Sequence, residues 1–199
     1  MKSRSIITVQ EWPHESRRAA ELVIGQYGEP DEVSATELTW HQAAPWKRVV
    51  ATAWFEHHLF PVPHVDCIEC VIDYAVPAEK MTELAHFDGS ISVDRTAGEV
   101  SVRCRSIASD TLKLNLVHDI VTGRRTVEEA RDYHVEEVLN AKRGQPTPYR
   151  EELLVPPQTD TKDPGEQILT AQELQTMADT DDSLITPVAL ARRAAPRHP

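Results

Sequence analysis

Between residues 14 and 27 the apolar side chains fall at spacings of three and four. Ala19, Ala20, Val23, Ile24 and Tyr27 line one side of a predicted helix. Pro13 suits its first turn, where a missing N–H costs nothing, and Gly25, Gly28 and Pro30 close it. The stretch before it, residues 6–9, reads as a short strand or an extended arm. Beyond Pro30 the period changes to two. Leu38 and Trp40 alternate with Glu37, Thr39 and His41, and Val49, Ala51, Ala53 and Phe55 alternate with Arg48, Val50, Thr52 and Trp54. Ile68, Cys70, Ile72 and Tyr74 then alternate with Cys67, Glu69, Val71 and Asp73. Residues 42–45 suit the connection between the first two of these strands.

Helical spacing returns after Pro77, where Met81, Leu84 and Ala85 share a side and Asp88-Gly89-Ser90 ends the run. Residues 91–94 and 99–105 pair as a hairpin about Thr96-Ala97-Gly98. Ile91, Val93, Val100, Val102 and Cys104 face inward, with Ser101, Arg103 and Arg105 outward. Ser109 is expected to cap a helix carrying Leu112, Leu116, Val117 and Ile120 and ending at Gly123. Thr126-Val127-Glu128-Glu129 is a capping box that opens a last helix, to about Ala141. Together these elements predict a single α+β domain over residues 1–143. It has an antiparallel sheet of about five strands, with three or four helices packed on one face.

Residues 144–199 differ in kind. They hold eight of the fourteen prolines and one aromatic, Tyr149, and read as a Pro-rich acidic tail that is mostly disordered. One island, residues 164–178, carries Ile168, Ala171, Leu174 and Ala178 along one side of a short helix opened by Asp163-Pro164-Gly165-Glu166. That helix could dock on the domain or on a partner protein.

A formal net charge of −11 works against encounter with nucleic acid or an anionic membrane. No run approaches the roughly 18 apolar residues of a spanning helix, and the first residues lack the apolar segment of a signal peptide. Three cysteines, an odd number, favour reduced thiols and a cytoplasmic location.

Candidate chemistry concentrates between residues 54 and 74. His57, His58 and His64, with Asp66, Cys67 and Cys70, offer the nitrogen, oxygen and sulfur donors that a divalent transition metal accepts. The turn at Pro61 and Pro63 brings His64 back toward the strand end that carries His57 and His58. Cys67 and Cys70 are a poor zinc pair, because a three-residue offset on a strand sends them to opposite faces, and no second Cys-x-x-Cys exists. Cys70 and Cys104 belong with the core, leaving Cys67 as the thiol outside it. The expected metal donors are therefore His57, His58 and His64, with Glu69 or Asp73 completing a two-histidine-one-carboxylate set. Glu69, Asp73 and Arg103 also share the polar face of the sheet, which either holds a polar ligand or meets water. Trp40, Trp46 and Trp54 are core residues or the wall of an adjoining pocket.

His118 and Asp119, with His86 upstream, invite comparison with helical His-Asp metal phosphohydrolase sites. The intervening hairpin and the want of a matching downstream aspartate argue against that reading, and a helix C-terminus suits the pair better. There is no Gly-x-Ser-x-Gly elbow, Walker loop or dinucleotide fingerprint. Two functions follow. In one, the domain binds a metal ion or small polar ligand at the histidine cluster, with Glu69 or Asp73 as ligand or general base. In the other, it is a non-catalytic protein-interaction module using the polar sheet face or the tail helix.

Overall fold

The computed structural model describes residues 3–163 and 165–178. The chain divides into two compact units, Met1–Asp163 and Pro164–Pro199. The first is an α+β domain built on one six-stranded sheet. Its strands are β1 (Glu32–Val33), β2 (Glu37–His41), β3 (Arg48–His58), β4 (His64–Asp73), β5 (Ile91–Asp94) and β6 (Glu99–Cys104). They lie in the order β1-β2-β3-β4-β6-β5, every neighbouring pair antiparallel. Its helices are α1 (Arg4–Val9), α2 (His14–Tyr27), α3 (Met81–Phe87), α4 (Ile107–Val121), α5 (Val127–Arg143) and α6 (Pro148–Glu151). No helix among the described residues is long and apolar enough to cross a membrane.

The alternation of apolar residues places Leu38, Val49, Ala51, Ile68, Cys70, Val100 and Val102 in the core, as expected. Trp40 and Trp46 join them, with their indole N–H groups donating to the Gly28 carbonyl and the Tyr27 hydroxyl. Trp54 instead stands 44% exposed beneath the Arg103 guanidinium. Residues 4–9 form a helix and not a strand, because the Ser3 hydroxyl accepts from Ile6 N and caps it. Helix α4 starts earlier than Ser109. Ser106 has the extended backbone of an N-cap and accepts from Ser109 N. The capping box at Thr126 and Glu129 forms as read, and Gly144 ends α5 in the left-handed conformation.

Helix α4 is the hub. Leu112, Leu114, Leu116 and Ile120 are fully buried, and polar residues on its other sides are buried as well: Asp110, Lys113, Asn115, His118 and Asp119. A polar group taken from water needs a partner, and Lys113, Asn115, His118 and Asp119 thereby tie the helix to its surroundings. Tyr74 meets His118 Nδ1 at 2.8 Å, Asp119 accepts from Tyr149 and Arg125, and Lys113 reaches the sheet.

Asn115 sets the boundary of the domain. Its Nδ2 donates to the carbonyls of Tyr149 and Glu152 at 3.0 and 2.8 Å, and its Oδ1 accepts from Leu154 N at 2.7 Å. The chain therefore does not leave the domain at residue 143. It stays packed through Asp163, with Val155 buried and the Asp163 carboxylate paired to Arg95. Gly98 permits the last of this, since a Cβ there would sit 2.5 Å from Thr161 Oγ1. In the second unit, α7 (Ala171–Ala178) begins later than the sequence suggests, because Thr170 and Glu173 supply the capping box in place of residues 163–166. The remainder of the expected tail, residues 179–199, lies outside the described residues.

Asn115→Ala should therefore cost about 2–4 kcal/mol, because three backbone groups lose their partner. Urea unfolding gives the loss, and limited proteolysis should show new cleavage within residues 144–163.

Candidate metal centre

The long strand β3 and the first half of β4 build the site. Ala51 pairs with Ile68, but Glu56 pairs with Asp66 and His58 with His64. Five steps along β3 thus oppose two along β4, and the register shift lies between Ala51 and Glu56. Such a bulge re-aims the residues beyond it. His58 is brought directly across from His64 and diagonally across from Asp66, where cross-strand side chains meet. His57 is turned outward, exposed and edge-on to Phe55.

Three donor atoms converge there, one each from His58, His64 and Asp66, all within 4.8 Å of one another. His58 Nδ1 lies 3.1 Å from Asp66 Oδ2, and His64 Nε2 lies 3.1 Å from Asp66 Oδ1. Neither approach is aligned for a hydrogen bond, so His58 Nδ1 and Asp66 Oδ1 are buried without one. Donors about 2.0–2.2 Å from a tetrahedral ion stand roughly 3.3 Å apart, which is close to this spacing. The far side of each ring is also provided for. His64 Nδ1 meets the Val62 carbonyl at 2.7 Å, and His58 Nε2 faces Asp88 Oδ1 at 3.7 Å. Metal-ligating imidazoles are held by carbonyls or carboxylates in this way.

A second layer fixes Asp88. The Asp88-Gly89-Ser90 turn that ends α3 gives Asp88 Oδ1 hydrogen bonds from Ser90 N and Ser90 Oγ, at 2.8 and 2.7 Å. Lys113 Nζ, wholly buried, donates to Ser90 Oγ at 2.6 Å and to the Arg103 carbonyl at 2.9 Å, and lies 3.2 Å from Asp88 Oδ2. Burial works against charge on Asp88, but Lys113 and the Ser90 bonds outweigh it and hold the carboxyl below the usual carboxylate range. Burial likewise opposes the Lys113 cation, and the surrounding acidic groups keep its pKa raised. His64 is also desolvated, yet Asp66 and the Cys104 sulfur, 3.3 Å from Nε2, lift it to about 10.

The remaining expected residues lie elsewhere. Glu69 pairs with Arg103 at 3.5 Å, and Asp73 with Lys47 at 2.6 Å near the far end of β4, so the carboxylate that meets the histidines is Asp66. Strand parity carries that signal, since Asp66 is two residues from His64 and Glu69 is five. All three cysteines are free and buried, and Cys67 is not outside the core as expected. His86 is exposed, while the ring of His118 is buried and bound to Tyr74. Asp88, Ser90 and Lys113 were given no role by sequence. The one hint was a lysine set among Leu112, Leu114 and Leu116.

A cleft of about 320 Å³ opens on the cluster, lined by Glu56, His57, His58, Asp66, Ser90 and Arg103 among others. Glu56 has no hydrogen bond or ion pair among the described residues. Comparison with protein-family models, curated proteins and solved structures finds no match to this chain.

Lys113→Met should destabilise the domain by about 3–5 kcal/mol by stranding the Asp88 charge. The Lys113→Met/Asp88→Asn pair should cost less than Lys113→Met alone, as measured by urea unfolding at pH 7. A second expectation concerns His134 on α5, 2% exposed against Phe60 and Phe87. Burial and then Lys113 push its pKa down to about 3. A depressed pKa means the unfolded chain binds the proton first, so this stability is present above about pH 6.5 and is lost as pH falls toward 3. The stability of wild type relative to His134→Phe should accordingly drop by about 2 kcal/mol between pH 7.5 and pH 5.

Proposed function

We propose that the protein binds a divalent transition metal through His58 Nδ1, His64 Nε2 and the Asp66 carboxylate. The observation that carries this reading is the convergence of three donor atoms, two of which, His58 Nδ1 and Asp66 Oδ1, are buried without a hydrogen bond, while the His64 ring is fixed through Nδ1 by the Val62 carbonyl. Two imidazoles and a carboxylate suit zinc or iron(II), and less well the hard ions that prefer all-oxygen sites. Three protein ligands leave at least one coordination position open, the pattern of catalytic sites more than of structural ones. The cleft on the cluster is at the lower end of the range for small-molecule pockets. A metal here would polarise a small polar molecule taken from that cleft, and Glu56, unpaired and directly opposite Asp66, is placed to exchange a proton with it. Because the ligands must be deprotonated, affinity should weaken in acid.

Equilibrium dialysis of chelator-stripped protein against zinc and, anaerobically, iron(II) tests the reading. Wild type should take up close to one equivalent and gain thermal stability with metal concentration. His58→Ala and His64→Ala should lose the uptake, while His57→Ala, Glu69→Gln and Asp73→Asn keep it. No uptake by wild type, or equal uptake by the His58 and His64 variants, would refute the proposal.

A further inference from the structure

On another side of His64 lies a larger cavity, of about 520 Å³, between α2, the start of β4 and the N-terminus of α4. Its walls are mostly apolar. Ala19, Leu22 and Val65 contribute to them, and Leu22 is 64% exposed although it belongs to the helix that packs on the sheet. The charge at its rim is the reverse of the chain's. Acidic residues outnumber Lys and Arg by 32 to 21 overall, yet the cavity carries Arg18 and Arg105 against a single carboxylate, Glu15, with His14 beside them. Neither arginine makes a hydrogen bond or ion pair among the described residues. A third, the half-buried Arg150, lies close enough to Arg105 for the like charges to repel. In a chain this acidic, carboxylate partners for two guanidinium groups are plentiful, yet both forks are left available beside an apolar hollow, where a bound anion would meet them.

We infer that this cavity binds an anionic amphiphile, its acidic head held by Arg18 and Arg105 and its hydrocarbon body laid along Leu22, Ala19 and Val65. The volume lies within the range of small-molecule sites, and suits a medium-chain acid. A planar guanidinium fork donates two parallel hydrogen bonds to a carboxylate or a phosphate monoester, so the head group is either of these. The metal reading is not required, since the donors named above are not needed to hold this ligand.

Isothermal titration with decanoate and decyl phosphate, below their aggregation thresholds and with chelator present, tests the assignment. Decylamine and decanol serve as controls. One equivalent of at least one of the two anions should bind, at least tenfold more tightly than either control, and the tighter anion identifies the head group. Arg18→Gln/Arg105→Gln should weaken that binding at least tenfold. Both positions are exposed, so the variant should melt at the wild-type temperature. No anion binding by wild type, equal binding of decanol or decylamine, or undiminished binding by the double variant would overturn it.

Discussion

Two carboxylates, Asp66 and Asp88, are withdrawn from water beside the same imidazole, that of His58, and the organisation of the domain answers to their charge. A buried anion is tolerated only when paired and hydrogen-bonded. Asp88 has Lys113 and two bonds from Ser90. Asp66 has two imidazoles that approach it without the alignment of hydrogen bonds, and its carboxylate raises the pKa of one of them, His64. Supplying these partners takes β3 and β4 for the rings, the turn after α3 for Asp88, and the central helix α4 for the lysine. The site is therefore a joint among three layers of the fold and not a loop decoration.

The fold class was legible because apolar periods are long and consistent: three and four along α2, two along β2, β3, β4 and β6. The histidine cluster was legible as composition, and its membership only in part. His57 and His58 are adjacent, so a strand can turn only one of them inward. Which one depends on the register shift between Ala51 and Glu56, and no Gly or Pro marks that bulge. Asp66 could have been preferred over Glu69 and Asp73 by counting from His64. Asp88 and Lys113 could not, because their meeting depends on how α3, β5 and α4 pack.

Residues 144–163 show the opposite failure. Their prolines and charges carry the composition of a free tail, and little in them forms regular structure. They are held by backbone groups bound to one side chain, Asn115, and by a glycine that lets Thr161 approach the β5–β6 turn. Hydrogen bonds to main-chain atoms leave no trace in the sequence of the segment that supplies them. The signal was on α4, where an asparagine sits between Leu114 and Leu116.

The most direct test of the central claim is the X-ray absorption spectrum of the zinc-loaded protein. The account predicts a nitrogen and oxygen shell at about 2.0–2.2 Å, the outer scattering of two imidazoles, and no sulfur. A sulfur shell near 2.3 Å, which would place the ion on Cys104 or another thiol, or a spectrum without imidazole scattering would contradict it.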